Sequence, residues 1–206
     1  MRTVAALYVD PLVPYPKLGG VITYDGRFCM NGAQQVFAPG DARLYSGPMP
    51  IVAHPPCAPW SRMRHLAKRG AKRDADRSCA PKALEQVRAF GGVLEHPEHS
   101  TFWEHAKLPT PLWSSMHGAD CFGGRSYLVN QLAWGHRCSK PTWLYVVGVD
   151  NDLVTTGIRF GGVATHRVTR GPGQADGLKV AHSAMRSRSP VAFAEWLVSL
   201  ARMSRV

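Results

Sequence analysis

Acidic residues are scarce in this chain of 206 residues: 14 Asp and Glu stand against 25 Lys and Arg, a formal net charge of +11. That balance favours polyanionic partners, nucleic acid above all. Cysteine is also sparse. The five residues, Cys29, Cys57, Cys79, Cys121 and Cys138, are odd in number and irregularly spaced. No C-x-x-C pair occurs, so neither a disulfide framework nor a zinc ribbon is expected. No apolar run reaches the roughly 18 residues that a membrane span needs. The stretch Met1–Leu7 meets Asp10 and Pro11 too early for a signal peptide, which leads to the expectation of a cytoplasmic protein. Internal repeats and low-complexity tracts are missing too.

Gly and Pro are plentiful, 20 and 16 residues, so many turns are expected. The length and the 45% hydrophobic content fit one globular domain over 1–206. Positive charge gathers in two places. Residues 62–88 hold nine basic and three acidic side chains, and residues 159–206 hold eight and two. Basic loop insertions are expected near 62–80 and 151–180.

Short apolar runs read as strands at 3–9, 50–54, 92–95 and 143–149. Residues 11–50 read as loop with short strands, 61–73 as a basic helix and 151–180 as loop. A helix is expected over 81–90, opened by Pro81 and stopped by Gly91-Gly92. Another is expected over 190–203, with Ser189 as its N-cap and Val191, Ala194, Leu197, Val198 and Ala201 on one face. Strands alternating with helices imply an α/β fold with a largely parallel sheet, whose chemistry sits beyond the carboxyl ends of the strands.

Three strands lead into or out of polar clusters. His54-Pro55-Pro56-Cys57 follows one strand, and its diproline restricts the turn that carries the cysteine. Arg62 and Arg64 come soon after, and positive charge favours the reactive thiolate. Glu95-His96-Pro97 ends the next strand, where desolvation raises a carboxyl and suits it to donating a proton. Trp134-Gly135-His136-Arg137-Cys138-Ser139-Lys140 precedes the late strand and offers basic groups to phosphate or a base edge.

This order resembles the cytosine-C5 DNA methyltransferases, most closely the short, divergent versions carried by phages and prophages. The likeness spans about residues 50–150. It implies a Rossmann-like fold of the methyltransferase type, a mostly parallel sheet flanked by helices. DNA is the implied substrate, and S-adenosylmethionine the implied cofactor. Cys57 takes the place of the nucleophile that attacks C6 of a flipped-out cytosine. Glu95 takes the place of the acid that holds N3, with His96 where Asn is usual. Arg137, or Lys140 in its stead, supports the base. Around the cofactor the likeness places Tyr8, Asp10 and Pro55, with Asp25 for the ribose and Asp41 for the adenine. Arg62, Arg64, Lys68, Arg69 and Lys140 are the expected nucleic-acid contacts. The aromatic-Gly-x-Gly turn of the family is not present; Tyr8-Val9-Asp10-Pro11 stands there.

Rival readings use the same residues. Amino-methyltransferases also carry a diproline, but with an acid or polar residue before it and an aromatic after it. His54, Cys57, His65, Cys79, His96 and His99 are of metal-ligand type, and His54-x-x-Cys57 has ligand spacing. An enzyme of changed cofactor or reaction, or a basic DNA-binding protein without catalysis, would need no glycine turn.

Overall fold

The computed structural model describes residues 1–9, 14–24, 29–31, 34–36, 40–62, 64, 71–111, 118–168 and 177–206. Its centre is a six-stranded sheet with helices on both faces. The strands are β1 (Val4–Leu7), β2 (Val21–Tyr24), β5 (Ile51–Ala53), β6 (Gly92–Pro97), β7 (Arg125–Asn130) and β8 (Pro141–Val147). They lie in the order β2-β1-β5-β6-β8-β7. The first four are parallel, and β8 runs antiparallel to both β6 and β7. The sheet is therefore mostly parallel, as expected, with one reversed strand. Two small ribbons, β3 (Cys29–Asn31) with β4 (Gln34–Val36) and β9 (His166–Arg167) with β10 (Lys179–Val180), lie outside it.

Register sorts the side chains into two cores. Ala6, Val52, Val93 and Val146 are aligned across the sheet and pack under α5 (Val191–Met203). Leu7, Ala53, Leu94 and Tyr145 are the next aligned row and face α1 (Ala71–Phe90). Both rows are buried, which explains why the parallel strands read as continuous apolar runs rather than alternating ones.

Helix α1 begins ten residues before the predicted start at Pro81, which sits inside it. A helix-interior proline removes one backbone bond and costs about 3 kcal/mol. Cys79 and Ala80, upstream of it, are fully buried with Ala83 and Val87 on the sheet side. That burial carries the helix through the proline. Residues 71–80 are thus helix rather than loop, while 65–70 of the predicted basic helix lie outside the described residues.

Helix α5 forms where predicted, but Pro190 is its N-cap and no side chain caps it; Ser189 lies one residue outside. Residues 151–157, read as loop, form α3 (Asn151–Gly157), capped by the Asp150 carboxylate accepting from the Asp152 N–H. Strand β8 stops two residues before its predicted end, because Gly148 turns with φ +77° and leaves no room for a side chain against Ser204 and Val206. Gly92 opens β6 at φ +116°, and a Cβ there would lie 2.0 Å from the Ile51 carbonyl oxygen. Two short helices, α2 (Phe102–His105) and α4 (Ser183–Ser187), complete the α-helices among the described residues. None of these helices is long and apolar enough to cross a membrane.

From β1 the chain moves outward to β2, then returns across β1 to place β5 on its other side. Strand order reverses between β1 and β5, so a crevice opens beyond their carboxyl ends.

Candidate active site

Residues from five parts of the chain meet in that crevice. Tyr8 leaves β1 with φ +59°, a left-handed conformation that side chains rarely adopt. It stands where a glycine turn is absent from the sequence. After β5, the His54 N–H donates to the Leu7 carbonyl at 3.0 Å, which joins the two strand ends. Pro55 and Pro56 then carry the chain to Cys57, which caps a 3-10 turn, Ala58–Trp60. Trp60 is buried against Phe102, with ring centroids 5.1 Å apart, and its carbonyl accepts from the Thr101 N–H at 2.9 Å. The cysteine turn is thereby anchored to the segment after β6.

Glu95 points from β6 toward the α5 side of the sheet. One carboxylate oxygen accepts from His54 Nδ1 at 2.9 Å, and the other accepts from Gln131 Nε2 at 3.1 Å. Gln131 also donates to Thr142 Oγ1 at 3.0 Å. On the far side of the imidazole, Tyr15 Oη lies 2.5 Å from His54 Nε2. Burial and the charge of Glu95 hold the Tyr15 phenol protonated well beyond its ordinary range. A carboxylate only accepts, so His54 carries a proton on Nδ1 that faces Glu95.

This network reverses one expectation. Burial alone would raise the Glu95 carboxyl and make it an acid. The His54 hydrogen bond, with the positive potential of His54 and Lys140, outweighs burial and holds it below the ordinary carboxylate range. Glu95 rests as a carboxylate. Cys57 moves the other way: surrounding protein and the charge of Glu95 push its thiol up, and Lys140 opposes them in part. Cys57 is nonetheless an exposed residue.

His96 is fully buried beside Phe102 and Trp103. Its Nδ1 lies 2.7 Å from Ser100 Oγ. Its Nε2 is buried with no hydrogen-bond partner among the described residues. Burial pushes it down to about 4, so the ring is neutral at neutral pH.

Together these groups line a hollow of about 360 Å³. That is at the small end of ligand-binding cavities. Tyr8, Tyr15, His54, Pro55, Cys57 and Glu95 line it, and Lys140, Arg186 and Arg188 bring positive charge to it. A second hollow of about 160 Å³ lies on the other side of Cys57, lined by Trp60, Arg62, Pro97 and His99 among others.

The expected residues are thus divided. Cys57, Glu95, Tyr8, Pro55 and Lys140 share the larger hollow, and Arg62 lines the smaller. Arg137 does not join them. It is exposed, lines a separate hollow with His136, His182 and Arg188, and its carbonyl binds the N–H groups of Thr165 and His166. Lys140 is the cation that reaches Glu95 and Cys57 instead. Asp41 is a buried cap whose carboxylate is forked by Arg43, with bonds of 2.5 and 3.0 Å, so it does not open into the crevice. Arg64 is exposed. Asp10, Asp25, Lys68 and Arg69 lie outside the described residues. The sequence reading gave no catalytic weight to His54, Tyr15, Gln131, Arg186 or Arg188. Among the described residues no group of His, Cys, Asp and Glu is arranged to hold a metal ion.

Comparison with protein-family models, curated proteins and solved structures finds no match.

Proposed function

We propose that the protein is a methyltransferase-type Rossmann enzyme that acts on cytosine in DNA, with Cys57 adding to C6 and methylation at C5 as the outcome. It would work in the cytoplasm, the host's where a phage carries it. The observation that carries this reading is the meeting of Cys57 and Glu95 in one hollow beyond β5 and β6, with Lys140 acting on both.

C5 of cytosine is a poor nucleophile. A thiolate bonded to C6 turns the ring into an enamine that attacks an electrophile through C5. A proton at N3 stabilises that adduct, and once C5 is substituted, loss of the C5 proton to water expels the Cys57 thiolate from C6 and restores the ring. Glu95 must receive a proton before it can donate one to N3. A proton taken up from water reaches it through His54, whose Nδ1 lies 2.9 Å from the carboxylate. Gln131 keeps the carboxylate oriented. Lys140 favours the Cys57 thiolate once a ligand reduces the exposure of the site to water.

S-adenosylmethionine, the cofactor that the resemblance implies, calls for an acidic group on its ribose. Of the described residues, Asp41 is closed by Arg43, and Glu95 is the carboxylate that lines the hollow. The described residues do not assemble that ribose site. The test is mass spectrometry of nucleosides from DNA incubated with the protein and S-adenosylmethionine. New 5-methylcytosine that disappears with Cys57→Ala supports the reading, and an unmodified profile counts against it.

A further inference from the structure

Three cations border the larger hollow: Lys140, Arg186 and Arg188. They come from chain segments more than 40 residues apart, yet they converge. Lys140 Nζ donates to the Arg188 carbonyl at 3.3 Å, which joins the segments directly. Arg186 reaches the Val168 carbonyl at 3.4 Å. Among the described residues, no carboxylate lies within salt-bridge distance of any of the three. Three like charges around one hollow outnumber the single carboxylate that lines it among the described residues, Glu95, and an anion brought between them lowers their mutual repulsion. The hydroxyls of Ser187 and Ser189 stand on the same wall. Behind Ser189 begins α5, 13 residues long, whose first N–H groups have no side-chain cap. Such a terminus favours negative charge.

We infer that this wall is an oxyanion subsite, and that it takes the phosphate of the nucleotide whose base reaches Cys57 and Glu95. The inference rests on the cytosine reading for the base, but the subsite stands on its own charges. A carboxylate on an amino-acid cofactor offers the same chemistry, and the two sources are separable.

The experiment is isothermal titration of the full chain, at low salt, with deoxycytidine, dCMP and dAMP. A second pair is S-adenosylmethionine and 5′-methylthioadenosine, which lacks the carboxylate. Charge-assisted hydrogen bonds of this kind correspond to about tenfold in affinity or more. The expected result is dCMP binding about tenfold tighter than deoxycytidine, with the difference erased by Arg186→Ala/Arg188→Ala. Both arginines are exposed, so the variant should keep the fold, and circular dichroism checks this. Raised salt should weaken dCMP alone in the unaltered protein. If the preference appears instead between S-adenosylmethionine and methylthioadenosine, the subsite holds and the nucleotide assignment is overturned. If dAMP matches dCMP and both need the arginines, the subsite holds and the cytosine reading fails. Equal affinities within each pair, or no binding by any of the five, would overturn the subsite.

Discussion

Replacing His96 by Asn should flatten the acid side of the protein's stability profile. The wild-type ring is fully buried and is pushed down to about 4 by that burial. In the unfolded chain the same imidazole titrates near 6.5. Between those values the unfolded state binds a proton that the folded state refuses. Stability contributed by the neutral ring is therefore complete above about pH 6.5 and is lost as pH falls toward 4. At 1.36 kcal/mol per unit, the loss is about 3 kcal/mol over the whole window and about 2 kcal/mol by pH 5. Glu95 acts in the same direction but lower on the scale. Its folded pKa lies below the ordinary value, so its contribution is present above the unfolded pKa and is lost as pH falls through the folded one. Urea titrations at pH 7.5, 6.5, 5.5 and 5.0 measure the slope. With an m value of about 2 kcal/mol per M, the wild-type midpoint should fall by about 1 M between pH 6.5 and 5. The Asn variant should start lower, since it leaves a smaller side chain against Phe102, but its midpoint should move much less over that range. An unchanged slope in the variant would refute the assignment of the pH dependence to His96.

Removing His54 should expose how far Glu95 depends on it. His54→Ala takes one of two donors from a buried carboxylate and should cost about 3 kcal/mol, or roughly 6–12 °C in Tm. The Glu95 carboxyl should then move upward, which carbon NMR titration of labelled Glu would read. Gly92→Ala should unfold the protein or cost more than about 3 kcal/mol, because its Cβ would meet the Ile51 carbonyl at 2.0 Å and its φ is +116°. Thermal unfolding checks this, and a loss under about 1 kcal/mol would contradict the close approach. Cys57 should be alkylated by iodoacetamide slowly at neutral pH and faster as pH rises past its raised pKa. Peptide mapping follows it against buried Cys79 and Cys138, which should stay protected in the folded state.

The parallel half of the sheet was legible because β1, β5 and β6 are buried on both faces and so read as apolar runs. Strand β7 was not legible. Arg125, Ser126 and Asn130 interrupt its hydrophobicity, and only pairing with β8 makes it a strand. Pro81 marked the wrong helix start, since propensity weighs the proline and the sheet weighs Cys79 and Ala80. At the site, Cys57 and Glu95 were found by their position after apolar strands. His54 stood in the same motif, but its role depends on Tyr15 and Glu95, which are 39 and 41 residues away. No spacing rule connects them. Arg137 and Lys140 differ by three residues and face different hollows, a distinction made by the turn around Gly135 rather than by residue type. Arg186 and Arg188 were counted only as part of a basic C-terminal region.

The most direct test of Cys57 chemistry needs no methyl donor. Thiolate addition at C6 makes C5 exchangeable with solvent, so the protein should catalyse deuterium uptake at C5 of cytosine in an oligonucleotide dissolved in heavy water. Mass spectrometry of the recovered nucleosides measures it. The account predicts uptake at deoxycytidine with the wild-type protein and none with Cys57→Ala. Uptake that persists in the variant, or no uptake by a wild-type protein that binds the oligonucleotide, would contradict it.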